Sequence, residues 1–176
     1  IRGIAADKNQ AKATLLGVPD TPGVAARIFK ELAAANINVD MIVQNVSAAG
    51  ITDLSFTVAR DDIAKTRRLL EPLVRKVKAA GLSFDEDIAK VSIVGVGMKS
   101  HSGVAFKMFD VLAASKINIE MISTSEIKIS VAIRARDADQ AVRTLHKAFG
   151  MDAKKRAPAA RRGAKAPSKK VARKRK

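Results

Sequence analysis

Hydrophobic and polar positions follow one another in a recurring order along this chain. From Ala13 to Ile42 the sequence ATLLGVPDTPGVAARIFKELAAANINVDMI reads as an apolar run, a tight polar turn, an amphipathic helix and a second apolar run. Val24, Ile28 and Leu32, with Ala25 and Phe29, share one helical face, while Arg27, Lys30 and Glu31 fall on the other. In the turn Asp20-Thr21-Pro22-Gly23, Thr21 is expected to cap the helix and Pro22 to open it, with Gly23 where the backbone bends. The pattern predicts strands near 12–18, 38–46 and 52–60 around a helix near 22–35. The hairpin SAAGIT joins the last two strands, with Gly50 as its left-handed residue. A second helix is expected from Asp61 and Asp62, with Ile63, Leu70, Val74 and Val77 inward, Pro72 kinking or dividing it and Gly81 ending it. IRGIAA at the start reads as a short strand, DKNQ after it as a turn, and 82–86 as a brief strand.

The order then occurs again. AKATLLGV (Ala11 to Val18) returns 78 positions later as AKVSIVGV, and NINVDMI (Asn36 to Ile42) returns 80 positions later as KINIEMI. Gly103 takes the place of Gly23, and Val104, Ala105, Met108, Phe109 and Leu112 repeat the buried face. Strands near 90–97, 117–125 and 127–135 and a helix near 102–115 follow. Asp137 is expected to cap a last helix with Ala138, Val142, Leu145 and Phe149 inward. Both copies read βαββα. The first is completed by 82–86, and the second lacks a closing strand. Gly3 to Ala6 stands at the repeat position of Leu82 to Asp85, so the beginning of the chain is expected to complete its end. The expected division is 7–86 and 87–150, the latter completed by 1–6, with a tail at 151–176. Leu15, Val18, Val43, Phe56 and Val58 in the first module, and Val91, Ile93, Val131 and Ile133 in the second, are expected core.

Composition changes this picture in one respect. The formal charge is +16, but residues 153–176 hold 12 of the 33 basic residues and no acidic one. The other 21 basic residues face 17 acidic ones, leaving the predicted modules at only +4. The tail is half charged, contains Pro158 and Pro167, and cannot form a core. It resembles the lysine- and alanine-rich tails of histone-like proteins. Two readings of it stand: salt-sensitive association with nucleic acid or another polyanion, and a solubilising extension. With no cysteine, no disulfide or thiolate metal site is available. No apolar run approaches the ~18 residues of a membrane span, and a cytoplasmic protein is the expectation. Opening on Ile1 rather than methionine points to a processed or excised piece of something longer.

Exposed amides at a helix start beside the Asp20 carboxylate suit a small zwitterion, the amides taking its carboxylate and Asp20 its ammonium. A plain capped helix in a βαβ unit is the alternative. His146, beside Leu145 and Phe149, is expected at the surface or half-buried, and His101 stands in the turn matching Asp20.

PDTPGVAARIFKELAAANINVDMIVQNVS and VGVGMKSHSGVAFKMFDVLAASKINIEMISTSEIKISV resemble the paired ACT domains at the C-terminus of bacterial aspartokinase, over about residues 2–150. The resemblance implies an α+β fold of two ferredoxin-like βαββαβ domains, with antiparallel sheets and helices on one face. It also implies feedback inhibition by lysine, threonine or both, bound by the ACT domains, with a catalytic domain or subunit as partner; the open sheet edges of two small modules predict a homodimer through the ACT domains. ATP and magnesium belong to that absent catalytic part, and no cofactor or catalytic residue is assigned to this chain.

The implied effector site takes the acceptors Asp20 and Asp40, the amides of Gly23, Val24 and Ala25, with Asn38, Gln44, and Thr52 of the hairpin. Capping of a turn is the alternative for Asn38 and Asp40. In the second module the candidates are Met98, Ser100, His101, Gly103 and Val104 in the turn, with Asn118, Ile119, Glu120, Thr124, Ser125 and Glu126 beside it. That copy is alternatively a wall. Asn118 and Ile119 of one chain are also candidates to close the pocket of another.

Overall fold

The computed structural model describes residues 1–45, 49–95 and 103–151. Six strands form one antiparallel sheet in the order β2-β3-β1-β4-β6-β5. They are β1 (Gly3–Pro19), β2 (Val39–Gln44), β3 (Ile51–Val58), β4 (Gly81–Val94), β5 (Met121–Thr124) and β6 (Lys128–Arg134). The helices are α1 (Val24–Ala34), α2 (Ile63–Lys76), α3 (Gly103–Ala114) and α4 (Ala138–Ala148), with single 3₁₀ turns leading into α2 and α4.

The sheet differs from the sequence expectation at its centre. DKNQ is no turn: β1 runs through it, with register shifts between Asp7 and Gln10 and between Gln10 and Lys12. Gln10 and Asp7 hold each other there through a 2.7 Å hydrogen bond, and Asn9 donates to the Asp61 carboxylate at 3.2 Å. Likewise 82–86 and 90–94 belong to one strand, β4. Each long strand therefore serves both repeats. Residues 11–19 pair with β3 on one side and with the start of β4 on the other. Residues 3–7 pair with 90–94, at the far side from β6. Local bulges bend a continuous pair where two separate strands and a turn were expected.

Alternation along the strands divides the two faces. On one face, Ala11, Ala13, Leu15, Leu54, Phe56 and Val58 pack against Val24, Ile28, Leu32, Ile63, Leu70 and Leu73 of α1 and α2. The edge of Phe29 meets the ring of Phe56 at a centroid distance of 5.4 Å. A second core joins Ile4, Val91, Ile93, Val131 and Ile133 to Met108, Leu112, Ala141 and Leu145 of α3 and α4. Val43 is the one expected core residue at the surface, 39% exposed. A third, smaller cluster on the opposite face joins Met41, Ile88, Met121 and Ala132. β2 and β5, at opposite ends of the strand order, touch there, so the sheet is curled until its edges meet.

The helix ends are built alike. Asn36, Lys78, Lys116 and Gly150 each follow a helix with φ between 58 and 67°. Each donates three residues back, and the next residue donates five back, as Lys116 to Ala113 (2.9 Å) and Ile117 to Leu112 (2.9 Å). This left-handed stop satisfies the last carbonyls and turns an apolar residue inward. Lys78, not Gly81, thus ends α2, and Gly81 opens β4. Pro72 does not divide α2, which runs on as one helix with Pro72 on its exposed side. Neither Thr21 nor Asp137 caps a helix with its side chain; Gly23, at φ 92°, is the residue before α1. Among the described residues no helix is long and apolar enough to cross a membrane.

Candidate functional site

β1 ends at Pro19 and the chain must reverse into α1 within four residues. Three backbone hydrogen bonds set that turn. The Asp20 amide donates to Gly50 at 2.8 Å, Thr21 to Pro19 at 3.0 Å, and Val24 to Thr21 at 3.3 Å. The first of these ties the turn to the β2–β3 hairpin. The positive φ of Gly23 lets the helix begin without a side chain in the mouth of the hollow that results. That hollow, about 340 Å³, is framed by Val18, Asp20, Gly23–Ala25, Gln44 and Leu54. Val18 and Leu54, each 2% exposed, form its apolar floor. Asp20 and Gln44 stand exposed on its rim, from the turn and from the last position of β2.

The chemistry of the hollow follows from these parts. Of the amides expected to meet a carboxylate, that of Val24 already donates to Thr21, while those of Ala25 and its neighbour Ala26 lie in the first turn of α1, where no intrahelical carbonyl precedes them and the helix dipole adds positive potential. An anion is favoured at that end, an ammonium beside the Asp20 carboxylate, and Gln44 offers both a donor and an acceptor.

Five of the first-module candidates meet here: Asp20, Gly23, Val24, Ala25 and Gln44. The other three lie elsewhere. Asn38 borders a separate groove of about 420 Å³ with Phe29, Ile37, Val39 and Ile42. The Thr52 hydroxyl donates to the Asn45 carbonyl, tying the base of the hairpin, and Thr52 borders a hollow of about 540 Å³ with Gly17, Asn45 and Asp53. Asp40 is engaged by the Lys90 ammonium on the sheet face opposite the helices. Val18 and Leu54 escaped the sequence reading as site residues. Their alternation marks them as buried, but only the strand register brings them under the turn.

In the second module Gly103 opens α3, and Val104 and Ile119 pack against the second core. Met98, Ser100 and His101 lie outside the described residues. Asn118 is exposed, as are Thr124, Ser125 and Glu126 around the β5–β6 turn, where the Ser125 amide donates to Lys128 at 2.7 Å. Glu120 is only 11% exposed at its side chain and lies 3.1 Å from the Lys12 ammonium and 2.6 Å from Arg134 Nε. Withdrawal from water opposes the charge of Arg134, yet the Glu120 and Asp85 carboxylates hold its guanidinium more firmly protonated than usual. Half-buried His146 lies with Nε2 3.1 Å from the Ile4 carbonyl, linking α4 to the start of β1. Among the described residues no three His, Cys, Asp or Glu side chains gather as for a metal ion.

Known proteins share this arrangement. The ACT domain family matches residues 14–72 and 91–149. The aspartate kinase of Pseudomonas fluorescens is 54% identical over 153 residues, which are 87% of this chain and 37% of that protein. The chain thus spans little more than a third of the curated relatives it matches. A solved structure of aspartokinase alpha and beta subunits is 52% identical, with a TM-score of 0.80 over 85% of this chain and 99% of the other. The ligand-free regulatory subunit of aspartate kinase from Thermus thermophilus is 44% identical, also with a TM-score of 0.80, over 85% of this chain and 98% of that one. With two matched domains on one curled sheet, the chain belongs to the ACT-domain family, as a tandem pair of the kind found in the regulatory part of aspartokinases.

Proposed function

We propose that this chain senses an amino acid for an aspartate kinase, and that lysine, threonine or both bind in the hollow at the start of α1. The observation that carries the reading is the convergence there of helix amides, the Asp20 carboxylate and Gln44 over an apolar floor. An α-amino acid needs donors for its carboxylate, an acceptor for its ammonium and a surface for its side chain. The hollow offers all three, which supports a role in recognition. In this reading two chains associate through their ACT domains. Asn118, exposed on its own chain, is available to the hollow of the other. Bound amino acid, touching both sides of that seam, favours the closely apposed arrangement and fixes a catalytic domain or subunit in a less active geometry.

Calorimetric titration with lysine and with threonine, on the chain with and without residues 153–176, tests the reading. Saturable binding that survives removal of the tail supports it. Retention on DNA with no uptake of either amino acid refutes it and favours a protein working through its basic tail. Sedimentation with and without ligand tests the seam: equal dimer dissociation in both conditions removes it as the switch.

A further inference from the structure

Opposite the helices, two sets of ion pairs join the halves of the chain, and each crosses from one repeat to the other. Lys90 of β4 engages Asp40 of β2, with Asp7 of β1 3.8 Å away. Lys12 of β1 lies 3.1 Å from Glu120, the residue before β5, with Asp85 of β4 4.0 Å away. Lys12 and Lys90, and Asp7 and Asp85, are 78 positions apart, and Asp40 and Glu120 are 80 apart, so the sets are copies related by the repeat. Between them lies the apolar cluster of Met41, Ile88, Met121 and Ala132, where β2 and β5 touch. The copies are unequal. Among the described residues Arg134 joins the second set alone, 2.6 Å from Glu120 and 2.9 Å from Asp85.

We infer that these two crossed sets form an electrostatic latch between the edge strands, through which the α1 hollow is coupled to β5 of the other repeat. Asp40 and Glu120 are then positioning residues of the latch, not ligands of an effector. The mechanical link is β2. It carries Asp40 near one end and Gln44, on the rim of the hollow, at the other, only about 14 Å along a stiff strand. Among the described residues β2 is an edge strand, hydrogen-bonded to β3 alone, and its register slips between Val39 and Ile42. A ligand that draws on Gln44 therefore acts on a strand held at its other end by Lys90, a residue of the strand that pairs with β6. The second half of this inference rests on the amino-acid reading of the hollow; the latch itself does not.

Amide hydrogen exchange on the full chain tests both halves. Without ligand, Glu120→Gln should raise exchange at Met41–Val43 of β2, and Asp40→Asn or Lys90→Met at Met121–Thr124 of β5. Each rise should be about fivefold or more, the lower end of coupling between linked sites. Circular dichroism confirms the fold of each variant, and Asp40→Asn, a milder change at a partly exposed carboxylate, stands in if Lys90→Met does not fold. Arg67→Gln, which removes a pair with Glu86 outside the latch, should leave both strands unchanged. Cross-strand exchange unchanged in the folded latch variants overturns the latch. With saturating lysine or threonine, wild type should gain protection at both β2 and β5, whereas Asp40→Asn should gain it at β2 alone. Equal protection of β5 in both proteins overturns the coupling. No protection anywhere in wild type counts against the amino-acid reading, and the ligand-free comparison still decides the latch.

Discussion

Gly17→Ala is the substitution whose cost the structure specifies most closely. Gly17 has φ 57°, a left-handed conformation that costs a residue with a Cβ about 1–2 kcal/mol. A Cβ built there falls 2.8 Å from the Ala80 Cβ, closer than two carbons approach. Neither side can easily give way. Ala80 is held by its amide donating to Leu16 at 2.8 Å, and Gly17 by its own amide donating to Asp53 Oδ1 at 2.9 Å. Overpacking of this kind costs about 1–3 kcal/mol, and a less flexible unfolded chain returns about 0.4–1 kcal/mol. The net expectation is a loss of about 1–5 kcal/mol, centred near 3, against about 0–1.5 kcal/mol for Gly23→Ala, where φ is 92° but no described atom lies within 4 Å. Urea unfolding followed by circular dichroism reads both as midpoint shifts at constant slope. Measured against Ala80→Gly alone, which removes the about 0.4–1 kcal/mol that a more flexible unfolded chain costs, Ala80→Gly in the Gly17→Ala background should recover about 1–3 kcal/mol, the steric part. If Gly17→Ala costs no more than Gly23→Ala, or if Ala80→Gly recovers nothing, the contact is not what constrains this turn.

Asp20→Ala should weaken lysine or threonine binding by about 1.5–3 kcal/mol, the range for a charge-assisted partner, and an unchanged Kd by calorimetry takes Asp20 out of the site. Removing residues 1–7 should destabilise the second module selectively, because Ile4 leaves its core and 90–94 lose a ladder; equal hydrogen exchange in β6 with and without that segment refutes this. Lys116→Gly, relieving a left-handed lysine at φ 59°, should stabilise by about 0.5–1 kcal/mol in the same urea assay, and a loss would mean the side chain matters more than its backbone. The Lys8 hydrogen bond and charge hold Asp139 below the ordinary carboxylate range. A pKa depressed on folding gives stability present above the unfolded value and lost as pH falls through the folded one, so Lys8→Gln should flatten the acid side of the stability–pH curve.

What was legible in the sequence was periodic or duplicated. The α1 face of Val24, Ile28 and Leu32 shows in a helical period, and the strand stripes in a period of two, because each repeats a burial pattern several times over. The fusion of 3–7 with 11–19 did not show. DKNQ is polar and turn-like by residue type, and only tertiary pairing with β4 keeps it extended. Val43 follows the apolar alternation and lies on the same face as Met41, yet is exposed, since the curl that covers Met41 does not reach it. Helix ends misled for a related reason. Glycine at 81 looked like a stop, but the backbone takes its left-handed turn at Lys78, where the Ala79–Val74 hydrogen bond and burial of Val77 outweigh the cost of a Cβ. At the hollow, Asp20, Gly23 and Gln44 were recognisable from turn chemistry and the resemblance. That Asp40 would face away from them depends on Lys90, fifty residues on.

Sharing of β1 and β4 decides what moves together. An ACT pair built as two closed sheets on a linker could tilt freely, each site reporting on its own module. Here 17-residue β1 supplies residues to both helix-covered cores, Ala11 to Val18 in one and Ile4 in the other, with no break in the strand. β4 does the same with Leu82 and Phe84 at one end and Val91 and Ile93 at the other. Rotating one core against the other would shear this long ladder, which is costly, unless the bend at Asp7–Lys12 absorbs it. That bend is where the register slips, where the buried Gln10 side chain leaves its carbonyl oxygen without a partner among the described residues, and where Asn9 reaches Asp61. The edge strands β2 and β5 meet over this same bend, because Ile88, opposite Gln10, belongs to the apolar cluster that joins Met41 of β2 to Met121 of β5. Contacts between those edges therefore brace the bend directly. The crossed pairs sit on the bend itself, Lys12 and Asp7 bounding it and Lys90 and Asp85 opposite them, which is why charge lost from either set should be felt in both modules rather than in one.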